Sequence, residues 1–168
     1  DMSMADKQAA FAKASDQCSD EFLDNATQSA RVDDAVVAIT ALSREPWASR
    51  IVVAGHSEGT HVVTGLLRTP GIDRVVAAAG LFASAGPIPF FGGYVARATR
   101  TRADFERVFD RVRAVQQLAD DTMWEGLPGR RWRTFWLEST PIEDVRDSHV
   151  PLFIAQGSAD GSTIPADL

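Results

Sequence analysis

Apolar positions along the chain fall into two periodicities. From Asp33 to Leu42, Val36, Ile39 and Leu42 recur on one helical face, Asp33 and Asp34 suit a helix N-terminus, and Pro46 follows, so the spacing predicts a helix there. Thr60 to Arg68 repeats the pattern with Val62, Val63, Leu66 and Leu67, and Pro70-Gly71 stops it. Thr101 to Met123 is the clearest amphipathic helix: Phe105, Val108, Phe109, Val112, Val115 and Leu118 form one stripe, opposite a solvated face of Asp104, Arg107, Asp110 and Arg111. Ala5 to Asn25 is alanine-rich with weak periodicity and predicts one or two short helices. Three other segments, Arg50 to Ala54, Arg74 to Leu81 and Pro151 to Gln156, are near-continuous apolar runs. They predict strands, and Arg74 to Leu81 fits a parallel strand covered on both faces.

The order helix, strand, helix, strand, an insert and a further strand places the chain in the α/β class: a mostly parallel sheet with flanking helices, in a single domain over residues 1–168. A strand-helix-strand unit of this kind predicts a right-handed crossover. Ligands in such sheets bind beyond the carboxyl ends of the strands, and Ser57, the loop after Leu81 and Asp160 all fall on that edge. Ala83 to Tyr94 is a Gly/Pro-rich loop bearing Phe82, Phe90, Phe91 and Tyr94. It admits two readings, a loop tucked onto the core or an apolar wall of a substrate pocket. Val75 to Ala96 carries no charge over 22 residues, but six glycines and prolines would break a spanning helix, so no membrane span is expected.

Composition narrows the partners. With 168 residues and 45% hydrophobic content the chain can bury one sizeable core. Net charge is −6 and the arginines are interleaved with acids, which excludes a nucleic-acid binder. Arg130 to Trp136 mixes basic and aromatic residues; in an acidic chain this predicts a lid or surface segment whose arginines stack on tryptophans. Cys18 is the only cysteine, a free thiol with no Cys/His metal spacing around it. Asp120-Asp121 and Glu143-Asp144 lack histidine support and predict solvated helix ends rather than a metal site. The front has no apolar signal region, so a cytoplasmic protein is expected, although a chain starting at Asp1 leaves room for a leader that was lost.

The most specific chemistry lies at Gly55-His56-Ser57-Glu58-Gly59, between an apolar strand and a helix. A G-x-S-x-G in that context predicts a strained turn with positive φ at Ser57, where side chains at Gly55 and Gly59 would collide with backbone. It lacks the Lys-Ser/Thr ending of a phosphate-binding loop. A serine hydroxyl becomes a useful nucleophile only with a base in hydrogen-bonding reach, itself oriented by a third group. Of the three histidines, His56 should point away from the attacking side, and His61 should be pressed beneath the turn. His149 precedes the third strand, so it should sit at the far end of the sheet, on the order of 20 Å away.

Gly55 to Gly59, together with Leu152 to Asp160, resembles the α/β-hydrolase superfamily over roughly residue 31 to the end, with a specificity for superfamily and not for substrate. The resemblance implies Ser57 as nucleophile, the backbone N–H of Glu58 as oxyanion donor, Asp160 as triad acid, and residues 86–146 as a helical cap inserted between the second and third strands. The family's catalytic His follows one more strand, which implies a base beyond Leu168 and a partial chain. The implied activity is a serine hydrolase cleaving an ester, thioester or amide through an acyl-Ser57 intermediate, without cofactor or metal. Alternatives are an acyltransferase, since acyl-carrier transacylases share a Gly-His-Ser-x-Gly turn, and a non-catalytic binding or scaffold module. Expected partners are a small-molecule acyl substrate and either the remainder of the same protein or a self-associating copy over the exposed sheet edges.

Overall fold

The computed structural model describes residues 19–81, 86–87, 102–124 and 126–158. In chain order the described elements are α1 (Asp20–Asn25), α2 (Gln28–Leu42), β1 (Ile51–His56), α3 (Gly59–Leu67), β2 (Val75–Leu81), α4 (Arg102–Ala114), a 3-10 turn (Val115–Gln117), β3 (Met123–Trp124), β4 (Leu127–Pro128), α5 (Gly129–Glu138), α6 (Pro141–Arg146) and β5 (Leu152–Ala155). Phe82, Phe90, Phe91, Tyr94, Asp160 and Cys18 lie outside the described residues, as do most of the expected N-terminal helices.

The architecture is α/β: a parallel three-stranded sheet, order β1-β2-β5, with flanking helices. Strand β2 is central, pairing Ala54 with Ala79 on one side and Phe153 with Ala79 on the other. One face is covered. Ile39 of α2 and Val63, Leu66 and Leu67 of α3 pack with Ile51, Ile72, Val75 and Ala78 into one buried cluster. On the opposite face Val52 of β1 and Phe153 of β5 remain 67% and 65% exposed, whereas no residue of the central β2 is exposed.

Helix α2 starts earlier than the Asp33-Asp34 pair predicts. Thr27 is its N-cap, with Oγ1 accepting from Ala30 N–H at 3.1 Å, and the two aspartates stand exposed in mid-helix. Side chains of α5 satisfy the next two free donors: Gln28 N–H donates to Thr134 Oγ1 (3.1 Å) and Ser29 N–H to Glu138 Oε2 (2.9 Å). A carboxylate at that position also meets the positive end of the helix dipole.

The stripe from Thr101 to Met123 is not one helix. Helix α4 ends at Ala114, passes through a 3-10 turn, and gives way to the two-residue hairpin β3–β4. Val112 and Val115 are buried with Trp132 and Phe135 in a second apolar cluster, flanked by Leu118, Trp124, Leu127 and Trp136. The segment Arg130 to Trp136 is therefore a packed helix and not a surface strip. Trp132, Phe135 and Trp136, at i, i+3 and i+4, face inward, and Trp132 Nε1 donates to the Trp124 carbonyl at 2.7 Å. Its arginines meet acids and carbonyls: Arg130 bonds Asp24 and Asp120, and Arg133 bonds Asp120 and the Leu118 carbonyl. No helix of the described residues is long and apolar enough to cross a membrane.

Gly129 opens α5 against the preceding loop, where a Cβ would overlap the Ala119 carbonyl and sit 2.7 Å from Leu118 Cβ. Backbone cannot rotate aside as a flexible side chain can. Gly129→Ala should lower the unfolding free energy by about 1–3 kcal/mol, an overpacking cost read from the shift of the urea midpoint.

Candidate functional site

The parallel pairing of β1 with β2 brings the chain to Ser57 at the carboxyl edge of the sheet. The ladder continues one residue past the strand, with Ser57 N–H donating to the Leu81 carbonyl at 2.8 Å. The chain then reverses. Ser57 has φ of 51°, the only non-glycine with positive φ among the described residues, and α3 begins two residues later. Such a conformation costs of order 1–3 kcal/mol and persists only where surrounding bonds hold it. Here the Ser57 carbonyl accepts from both Thr60 N–H (3.0 Å) and Thr60 Oγ1 (2.7 Å).

Gly55 is a steric requirement: a Cβ would run into the Gly59 carbonyl and lie 2.8 Å from Thr60 N. Gly59 is not. A Cβ there meets nothing within 4 Å. The expected collision at Gly59 does not occur: at the first residue of α3 the Cβ position is open.

Ser57 is exposed, and Glu58 N–H has no acceptor among the described residues. The Glu58 side chain turns away to an ionic cluster. Its Oε1 meets Arg31 Nη1 of α2 at 2.8 Å and also Arg131 Nη2 of α5. Arg131 is 3% exposed and lies over the Phe135 ring, 5.6 Å from its centroid. Burial, with the nearby Arg31 charge, pushes its pKa down to about 10, which still leaves it charged at neutral pH. An open cleft of about 500 Å³ runs beside the turn, lined by Arg31, Ala35, Ile39, Gly55, His56 and Val62.

The three histidines take three different places. His61 is 2% exposed beneath the turn, with Nδ1 bonded to Ser139 Oγ and its ring edge-on to Phe135 at 4.9 Å. Burial, then the Arg31 charge, pushes its pKa down to about 4, so it is neutral at physiological pH. His149 precedes β5, and because β5 runs parallel to β2 it lies at the end of the sheet opposite Ser57. His56 ends β1 with an exposed side chain, and side chains of successive strand residues alternate in direction. None is placed as a base for Ser57.

The acidic pairs are also resolved. Asp120 is an exposed partner of Arg130 and Arg133, whose hydrogen bonds hold its carboxyl below the usual range. Asp144 is not a solvated helix end. It is 3% exposed, accepts from Thr140 Oγ1 at 2.9 Å and faces Arg68 at 3.3 Å, and burial raises its carboxyl pKa despite both partners. No cluster of three His, Cys, Asp or Glu side chains suited to a metal occurs among the described residues.

Comparisons with protein-family models, with curated proteins and with solved structures find no match for this chain. Two residues of the site, Arg31 and Arg131, were not singled out from the sequence. The available signal was an arginine at the inward spacing of the Trp132-Phe135 helix face, which demands a buried counter-charge.

The His61 shift sets a pH dependence. Its neutral form is favoured in the fold, so the unfolded chain takes up the proton first, and stability falls as pH drops from 6.5 through about 4. The contribution lost across that window is about 3 kcal/mol. Urea unfolding at stepped pH should show this slope in the wild type, and the difference from His61→Gln should be flat above pH 6.5.

Proposed function

We propose that the chain carries the nucleophile of a serine hydrolase of the α/β-hydrolase type, cleaving an ester, thioester or amide through an acyl-Ser57 intermediate. The observation that carries this reading is the positive φ of an exposed serine held between a parallel strand and a helix. In that position Oγ projects beyond the strand ends, and Glu58 N–H, with no acceptor among the described residues, is available to a developing oxyanion. In the proposed reaction Ser57 Oγ attacks the acyl carbon and loses its proton to a base. The tetrahedral intermediate collapses with departure of the alcohol, thiol or amine, and water then releases the acid.

Asp160, beyond β5, is the proposed partner that orients the base. The base itself is proposed to come from outside these 168 residues, since His56, His61 and His149 are all placed elsewhere. The second apolar cluster, built from α4, the β3–β4 hairpin and α5 between β2 and β5, is the proposed cap. One observation favours a second reading: with no histidine placed at Ser57, a binding module that keeps the turn without the chemistry fits the same geometry.

A fluorophosphonate probe separates the two. In the protein expressed in full, the probe should label Ser57, and Ser57→Ala should abolish both labelling and ester turnover. Turnover above background in that variant would sink the hydrolase reading. A wild-type protein that resists the probe would favour the binding module.

A further inference from the structure

We propose that the Glu58 carboxylate, held at one oxygen by Arg31 and Arg131, is a positioning group that fixes the peptide N–H following the nucleophile. The inference rests on the hydrolase reading of Ser57 and adds to it a role for two arginines on separate helices.

Three elements meet at a single atom. Glu58 Oε1 takes Arg31 from α2 and Arg131 from α5, while the residue's own backbone joins the strained turn to α3. Glu58 has helical dihedrals but makes no side-chain cap bond to its own helix, so the carboxylate is free to act as a tether. Arg131 is almost wholly buried, and a guanidinium in that position is retained only with a close counter-charge. Its position is itself fixed. Phe135, one helical turn on, lies beneath it and packs against His61, while Thr134 and Glu138 of the same helix cap α2.

Other charges stand around this ion pair. Glu138 acts on Arg131 but is bonded to Ser29 N–H, and Asp33 and Asp34 line the neighbouring cleft of about 700 Å³ from the exposed side of α2. Holding the carboxylate oxygen from two helices restricts the movement of the Glu58 backbone, and with it rotation of the peptide between Ser57 and Glu58. A displacement of about 1 Å at such a donor can cost as much as 100-fold in rate.

The test measures the fluorophosphonate labelling rate of Ser57, kcat and KM for an ester, and the urea midpoint, in the protein expressed in full. Glu58→Gln leaves Arg131 buried without the carboxylate that touches it and should lower the midpoint. Pairing it with Arg131→Met removes both charges and should restore much of the midpoint, as replacement of a buried ion pair by apolar side chains commonly does. The double variant should nonetheless label roughly 10–100-fold more slowly, with the loss in kcat and little change in KM. Arg31→Met, at a half-exposed position, should slow labelling several-fold at an unchanged midpoint.

Wild-type labelling rates in the stable double variant, or in Arg31→Met, would overturn the proposal by reducing the cluster to a structural ion pair. Failure of the wild-type protein to label at all would overturn the hydrolase reading, and the positioning role with it.

Discussion

Gly55 passes so close to the carbonyl of Gly59 that no side chain fits between strand and helix, and most of the described structure follows from that approach. The close crossing forces the chain to reverse within a residue or two, which places Ser57 in the left-handed region. The strain is held by bonds on both sides of the residue, from Ser57 N–H to β2 and from Thr60 to the Ser57 carbonyl. The same crossing lays α3 across the sheet, so that Val63, Leu66 and Leu67 reach Ile51, Val75 and Ala78. The turn at Ser57 and the main core are thus products of one steric constraint.

The second organising element is α5, which joins the two apolar clusters through polar bonds. Its aromatic face builds one cluster with Val112 and Val115, and Phe135 extends to His61 beneath the turn. Its polar side chains do the rest: Thr134 and Glu138 satisfy the N-terminal donors of α2, Ser139 beyond its end bonds His61, and Arg131 meets Glu58. Hydrogen bonds and ion pairs are directional where apolar contacts are not. A helix attached in this way is fixed in azimuth as well as in distance relative to Ser57. The cost is a buried guanidinium and a buried imidazole, each acceptable only with its partner in place.

Legibility in the sequence followed the length and strength of each local signal. The three strands and α3 were readable because unbroken apolar runs and a 3.6-residue period need no distant partner to be recognised. The start of α2 was misplaced by five residues, since Asp33 and Asp34 imitate a first turn while the true cap, Thr27, is completed by Thr134 and Glu138 from over 100 residues away. A basic, aromatic stretch in an acidic chain suggests a lid or surface segment for Arg130 to Trp136; the inward spacing of Arg131 marks a buried arginine, but its partner Glu58 lies far off in the chain. Asp144 is a similar case: Thr140 is a local partner at the start of α6, but Arg68 is supplied by the packing of α6 on α3.

By itself the sequence determined the α/β order of elements, the place of the turn at Ser57 and the need for glycine at position 55. Each depends on a few neighbouring residues and on backbone sterics. Tertiary structure alone decided which face of the sheet is covered, that Gly59 has room, that His61 is held neutral against Ser139, and that Glu58 is shared between two arginines. Those outcomes depend on distances between residues far apart in the chain, and burial, counter-charge and pKa are properties of that packing and not of any local segment.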